Sequence, residues 1–163
     1  VTAACTHQKS NLMDAMLWSK KLKGEEQECY DKAYALLDFV GLKGKENLKS
    51  RNLPYGQQRL LEIARALATD PKVLLLDEPV AGMNEQESAE AAELVHKLRK
   101  SGITILLIEH HMKFVMGLCD ELTVLNGGQK IAEGTPEEIQ SNETVIECYL
   151  GKKRGKVVNK ANV

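Results

Sequence analysis

The chain has 163 residues, enough for one domain with a buried core, and its 22 basic and 23 acidic residues give a formal net charge of -1. This balance provides no global field to attract nucleic acid or anionic lipid, so any partner must be recognised at local sites. The longest apolar stretches, residues 73–76 and 103–108, fall far short of the roughly 20 residues that a membrane-spanning helix needs. The chain starts without Met, which favours a processed end or a fragment, and its four cysteines contain no C-x-x-C pair, as expected of reduced cytosolic thiols.

The first 52 residues predict helices and a connection, with no strand. Residues 8–40 carry two apolar helical faces, and Gly24 between them predicts a break. The faces consist of Leu12, Met16 and Leu17 and of Ala33, Leu36, Leu37 and Val40. Residues 41–52 hold two glycines and five charged residues, which is typical of a connection.

A regular alternation of helix and strand begins at Gly56. The first helix ends at Asp70-Pro71, before a strand over residues 73–76 that is apolar throughout and is therefore predicted to be buried on both faces. The apolar face of that helix consists of Leu60, Ile63, Ala64, Leu67 and Ala68. A helix over residues 85–100, a β-branched strand over residues 103–108 and a helix near residues 111–118 follow. This order predicts parallel pairing of the strands through a right-handed crossover.

The C-terminal third predicts a hairpin and two short helices. Residues 122–125 and 129–132 form the hairpin, joined through Asn126-Gly127-Gly128. Pro136 after Thr135 opens one helix, and another ends at Leu150. The five basic residues after Gly151 are accompanied by no acid, which predicts a disordered tail.

Two carboxylates, Asp77 and Glu78, follow the first strand where it leaves the sheet. Open α/β sheets bind ligands at this edge. An Asp at the end of a strand can hold Mg²⁺, because a hard cation prefers oxygen ligands, and the adjacent Glu78 can polarise a water for attack on a phosphoryl group. The alternative is that both carboxylates only begin a turn before Pro79.

Two other segments point to phosphate chemistry. Residues 53–57 lead directly into a helix, so backbone N–H groups and the positive end of the helix dipole face whatever lies ahead of Gly56. The alternative is an ordinary N-cap that contains glycine. His110 follows the second strand, beside the first, where it can donate to a phosphate or hold the attacking water. The alternative is that His110 and His111 are an exposed helix-capping pair, and adjacent residues diverge too much to form a metal site.

Four segments, in this order, resemble the signature, Walker B, D-loop and switch-histidine motifs of ATP-binding cassette (ABC) ATPases. They are Leu53-Pro54-Tyr55-Gly56-Gln57-Gln58-Arg59, Leu74-Leu75-Leu76-Asp77-Glu78-Pro79, Ala81-Gly82-Met83-Asn84 and Ile108-Glu109-His110. The resemblance implies a P-loop NTPase-like α/β fold: a partial ABC nucleotide-binding domain whose mainly parallel sheet is flanked by helices. It also implies a partial helical subdomain over residues 1–52, the C-terminal part of the ATPase core over residues 53–150 and a basic tail over residues 151–163.

The resemblance implies ATP and Mg²⁺ as ligands and assigns roles to individual residues. Asp77 is the carboxylate on the Mg²⁺ side, Glu78 the catalytic base and His110 the sensor of the γ-phosphate. The signature loop, which would contact the ATP of a partner subunit, consists of Pro54, Tyr55, Gly56 and Gln57. The D-loop includes Gly82 and Asn84. Pro54 and Tyr55 replace the Ser and Gly of the commonest signature, Leu-Ser-Gly-Gly-Gln, so the Ser hydroxyl contact to phosphate is missing.

The Tyr before Gly56, the D-loop and residues 108–112 most resemble the ATPase subunits of branched-chain amino acid importers. The implied function is ATP-driven import of branched-chain or other hydrophobic amino acids. A second ATPase subunit, identical or different, and a transmembrane permease would be partners at the cytoplasmic face of the cell membrane, and no nucleic acid is expected. Alternatives are another ABC transporter such as a lipopolysaccharide exporter, or a non-catalytic half-domain that serves as an interaction module. A chromosome or DNA-repair ATPase would need heptad coiled coils and a basic groove, which the sequence does not display.

The chain contains no G-x-x-x-x-G-K-S/T segment, the loop that cradles nucleotide phosphates. We therefore expect it to be the C-terminal portion of a nucleotide-binding domain, inactive by itself. Such a portion is expected to leave apolar strands such as residues 73–76 partly uncovered, with dimerisation or strand exchange as one response.

Overall fold

The structure of the chain is a computed structural model, which describes residue 3 and residues 20–150. The chain divides into two compact units, one that ends at His110 and one that begins at His111. The predicted subdomain boundary after residue 52 stays a prediction. The predictions for residues 8–19 and for the basic tail lie outside the described residues.

The first unit opens with α1, Lys20–Phe39, which continues through Gly24. The predicted break at Gly24 is therefore wrong. A glycine inside a helix costs about 1 kcal/mol relative to Ala, but it keeps the backbone hydrogen bonds and does not by itself end the helix. After α1, Gly41 adopts a φ of +80°, as is common just beyond a helix C-terminus. The predicted connection follows and includes a 3₁₀ turn at Ser50–Asn52.

The predicted alternation of helices and strands is confirmed in this unit. The elements in chain order are α2 (Tyr55–Leu67), β1 (Val73–Asp77), α3 (Glu85–Lys100) and β2 (Thr104–Ile108). The two strands are parallel, with Val73 opposite Thr104 and Asp77 opposite Ile108. A capping box formed by Asn84 and Glu87 starts α3. Side chains of α2 and α3, including Ile63, Leu67, Leu94 and Leu98, are buried in the core.

β1 is not buried on both faces, contrary to the sequence prediction. Leu74 and Leu76 are only 4% and 8% exposed, whereas Val73 and Leu75 are 53% and 69% exposed. Successive side chains of a strand point to opposite faces, and among the described residues only one face of this two-stranded sheet is packed. Other exposed apolar side chains on the open face are Leu106 and Ile108. The expectation that residues 73–76 are partly uncovered is confirmed.

The second unit contains the predicted hairpin and helices. Its elements are α4 (Met112–Met116), β3 (Leu122–Asn126), β4 (Gln129–Gly134), α5 (Pro136–Ser141) and α6 (Glu143–Leu150). β3 and β4 are antiparallel, and both glycines of the turn, Gly127 and Gly128, have positive φ, as two-residue hairpin turns require. Ile139 and Val145 are buried in this unit.

Two predictions about the whole chain can be compared with the described residues. Cys29, Cys119 and Cys148 are thiols. None of the helices within residues 20–150 combines the length and apolar character needed to cross a bilayer.

Candidate functional site

The register of β1 and β2 brings the residues that follow the two strands to the same edge. Asp77 lies opposite Ile108, and the Glu78 N–H donates to the Ile108 carbonyl oxygen at 2.9 Å, which extends the ladder by one residue. As a result the Oε1 of Glu78 lies 3.2 Å from the Nδ1 of His110. The predicted position of an imidazole beside the carboxylates of the first strand is confirmed. The chemical roles of these residues stay predictions.

Glu78 adopts an uncommon backbone conformation, with φ of +44°. A left-handed conformation is unfavourable for a residue with a Cβ, and such residues are concentrated at functional sites. The chain turns directly afterwards, where the Ala81 N–H donates to the Glu78 carbonyl oxygen at 3.1 Å. The side chains of Glu78 and His110 are 52% and 71% exposed. Water and phosphate can therefore reach both groups.

Glu109 supports the imidazole from the interior. Its side chain is only 1% exposed, and its Oε2 lies 3.6 Å from the Nδ1 of His110. The same oxygen accepts the backbone N–H of His110 at 2.8 Å. Glu78 and Glu109 thus flank the Nδ1 and orient the ring, leaving the Nε2 for another partner. No role for Glu109 was predicted from the sequence.

The predicted signature loop lies at the N-terminus of α2, and no side chain caps that end. Pro54 is the N-cap residue and Tyr55 the first helical residue. Gly56 is buried, and the Gln57 side chain accepts a hydrogen bond from the Lys45 ammonium at 2.6 Å. An uncapped N-terminus presents backbone N–H groups and the positive end of the helix dipole. This arrangement suits an anion such as phosphate.

The signature loop packs directly against the D-loop and the start of α3. A Cβ on Gly56 would lie 2.9 Å from the Glu87 carboxylate, which also accepts the Asn84 N–H at 3.0 Å. A Cβ on Gly82 would lie 3.2 Å from the Tyr55 ring. The structure therefore brings the two predicted loops together through two glycines. The Asn84-x-x-Glu87 spacing was a readable signal of the capping box, whereas neither glycine contact had a signal in the sequence.

Arg59 makes a group of contacts that the sequence analysis missed. Its Nε and Nη2 donate to the Tyr55 hydroxyl at 3.2 and 2.8 Å, and its Nη1 donates to Glu62 at 2.8 Å. The guanidinium carbon lies 5.2 Å from the centroid of the Tyr55 ring. Hydrogen bonds to Glu62 and then to Tyr55 raise the pKa of Arg59 above its usual value. The i, i+4 spacing of Tyr55 and Arg59 on a helix was the signal for this pair.

Asp77 is suited to bind a cation that also binds phosphate oxygens. It is an exposed carboxylate at the carboxyl end of β1. Mg²⁺ usually keeps several waters and takes one or two carboxylates beside phosphate oxygens. Within residues 20–150, no cluster of three or more His, Cys, Asp and Glu could hold a metal with protein ligands alone. The residues present are thus suited to Mg²⁺ bound together with a nucleotide.

Two family models match the chain. The model described as "ABC transporter" matches residues 2–81. The model described as "Branched-chain amino acid ATP-binding cassette transporter" matches residues 129–154. The first match includes the predicted signature loop and β1.

The chain is also similar to curated proteins and to a solved structure. It is 46% identical to the high-affinity branched-chain amino acid transport ATP-binding protein LivG of Salmonella typhimurium, over 88% of the chain and 56% of LivG. It is 42% identical to the corresponding protein BraF of Pseudomonas aeruginosa, over 89% of the chain and 57% of BraF. The crystal structure of an ATP-binding cassette of an ABC transporter in its ADP conformation superposes with a TM-score of 0.71 and 33% identity, covering 92% of the chain and 60% of that structure. The chain therefore spans less than two thirds of the length of the relatives that it matches.

Proposed function

Because the chain belongs to the ABC transporter family of ATP-binding cassettes, we propose that it forms the C-terminal part of the ATP-binding subunit of an importer for branched-chain or other hydrophobic amino acids. The observation that carries the proposal is the pairing of Glu78 and His110 at 3.2 Å, directly after Asp77 and the β1 strand. This pairing occurs in a chain that is 46% identical to LivG. In the whole subunit, ATP binding and hydrolysis drive transport.

In this proposal, Glu78 is the general base. Its carboxylate accepts a proton from water as the water oxygen attacks the γ-phosphorus, and the bond to the β,γ-bridging oxygen breaks to give ADP and phosphate. His110, oriented by Glu78 and the buried Glu109, presents its Nε2 to the γ-phosphate. Asp77 would hold Mg²⁺, which would supply positive charge to the phosphate oxygens.

The signature loop serves the ATP of a second subunit. The uncapped N-terminus of α2 offers N–H groups to that phosphate, with Gly56 and Gln57 in the first turn. Gly82 and Asn84 lie in the adjoining D-loop. The partners are therefore a second ATP-binding subunit, identical or different, and a transmembrane permease, with the ATP-binding subunits at the cytoplasmic face of the cell membrane.

The phosphate cradle itself comes from polypeptide outside these 163 residues. No G-x-x-x-x-G-K-S/T segment occurs in the printed sequence. The backbone and Lys of such a loop hold the β- and γ-phosphates, so residues 1–163 alone bind ATP weakly and hydrolyse it negligibly.

The test uses the full-length product of the gene that encodes this chain, assayed for phosphate release and for ATP retention. Glu78→Gln should lower kcat by about 10²-fold or more, because the amide cannot accept the proton, while ATP remains bound. Glu93→Gln, an exposed change on α3, is the matched control and should hydrolyse ATP at the normal rate. Normal turnover by Glu78→Gln would remove Glu78 from this role.

The transport proposal has its own readout. Deletion of the gene should abolish energy-dependent uptake of radiolabelled leucine by cells, and the unsubstituted gene should restore it. Undiminished uptake of leucine, isoleucine and valine would contradict the amino acid importer. A gene without a phosphate-binding loop upstream of Val1 would contradict the ATPase and favour an interaction module.

A further inference from the structure

Tyr55 places a large side chain at the end of α2 that faces phosphate in the proposed function. It is the first residue of the helix and its side chain is 49% exposed. In an α-helix the Cα–Cβ bond tilts toward the N-terminus. An unrestrained ring at this position therefore tends to lie over the helix end, where it would cover the backbone N–H groups.

The observed contacts hold the ring elsewhere. The Tyr55 hydroxyl accepts two hydrogen bonds from Arg59, which lies one turn further along α2. Glu62 binds the other side of the guanidinium at 2.8 Å, so the arginine is itself fixed. The ring edge rests on Gly82, where even a Cβ would approach the ring to 3.2 Å. The ring is thus held between Arg59 and Gly82 of the D-loop.

We infer, on the basis of the proposed function, that Arg59 is a positioning residue that holds the Tyr55 ring on Gly82 and so keeps the N-terminus of α2 open to the terminal phosphate of ATP. Arg59 contacts Tyr55 and Glu62, and in this role it acts on phosphate binding through the position of the Tyr55 ring. The chain has Pro54 where the commonest signature has a Ser hydroxyl, so the backbone N–H groups carry most of the phosphate contact here. ATP binding therefore depends more on access of phosphate to these N–H groups than it would in a loop that has the Ser hydroxyl.

The experiment measures kcat and KM for ATP in the full-length protein. Arg59→Gln should raise KM about tenfold, because the two hydrogen bonds that restrain the phenol are lost and the ring covers the N–H groups. kcat should change by less than about twofold, since the groups at the carboxyl ends of β1 and β2 are untouched.

A second substitution separates positioning from a merely structural role. Tyr55→Phe keeps the ring but removes the hydroxyl that accepts both hydrogen bonds from Arg59, so it should raise KM about as much as Arg59→Gln, and the double variant should raise KM no further. A role for Arg59 that does not depend on Tyr55 predicts instead that Tyr55→Phe leaves KM unchanged and that the effects of the two substitutions add in the double variant. Thermal unfolding of each variant checks that the proteins remain folded at the assay temperature.

Matched variants complete the design. Arg65→Gln removes the same charge from an exposed position on the same helix and should leave KM unchanged. Arg59→Lys keeps the charge but not the fork of two donors, so it should remain impaired. An unchanged KM in Arg59→Gln or in Tyr55→Phe, or additive effects in the double variant, overturns the inference. If the unsubstituted protein does not hydrolyse ATP, it is the proposed function that fails.

Discussion

Two independent features favour glycine at position 82. Its φ of +74° lies in the left-handed region, and a Cβ there would meet the Tyr55 ring at 3.2 Å. Gly24, in contrast, lies inside α1, and among the described residues a Cβ there would meet no atom outside its own stretch of helix. Glycine is therefore favoured by the backbone conformation and by packing at position 82, but by neither at position 24.

We expect opposite effects from the same substitution at these two sites. Gly82→Ala should lower the free energy of unfolding by about 1–2 kcal/mol, the cost of a left-handed conformation for an L-residue. Gly24→Ala should raise it by up to about 1 kcal/mol through helix propensity. Urea unfolding of the 163-residue chain measures both. Equal shifts of the two midpoints would contradict the conformation given for Gly82.

At the scale of elements, the β3–β4 hairpin carries an ion pair that depends on pH. The Glu133 carboxylate accepts hydrogen bonds from the Lys130 ammonium at 2.8 Å and the Thr123 hydroxyl at 3.1 Å. The Lys130 bond, followed by the Thr123 bond, lowers the pKa of Glu133 below its usual value. Lys130 correspondingly has a raised pKa, chiefly because of its hydrogen bond to Glu133.

This pair predicts a contribution to hairpin stability that is present at neutral pH and lost in acid. Because the pKa of Glu133 is lower in the folded than in the unfolded state, the contribution is complete above the unfolded value and disappears as pH falls through the folded value. A carboxylate NMR titration should give a pKa for Glu133 below the ordinary value of a glutamate side chain. Lys130→Gln should move the midpoint upward, toward that value. If Lys130→Gln left the pKa of Glu133 unchanged, the ion pair between the two residues would not form.

The turn and caps of the second unit are local features, and the sequence predicted them well. Gly127-Gly128 supplies the two positive φ angles of the hairpin turn, and Pro136 follows the Thr135 cap of α5. The prediction of a helix break at Gly24 was wrong because an isolated glycine weakens a helix without ending it. Tertiary packing and neighbouring turns decide whether such a helix continues.

At the scale of the whole molecule, the residues of the proposed nucleotide site form two groups. Asp77, Glu78 and His110 lie at one sheet edge, and the signature loop lies against the D-loop. The open face of the sheet is apolar, with Leu75 69% exposed.

We expect the 163-residue chain to show no measurable ATP turnover and no retention of ATP at micromolar concentration. The reason is that neither the α2 N-terminus nor a single Asp replaces a loop that surrounds the phosphates. Equilibrium dialysis with labelled ATP, with the full-length gene product as the positive control, measures this. Stoichiometric, magnesium-dependent binding by the short chain would contradict the expectation.

The sequence by itself determined the order and type of the elements and which polar residues follow the two strands. Apolar periodicity, the Asp70-Pro71 stop and the Gly-Gly turn depend on neighbouring residues, so they can be read locally. The tertiary structure alone decided that Leu75 is exposed beside a buried Leu76 and that Tyr55 rests on Gly82. These features depend on strand register and on which surfaces pack together, and such contacts join residues far apart in the chain that no local pattern specifies.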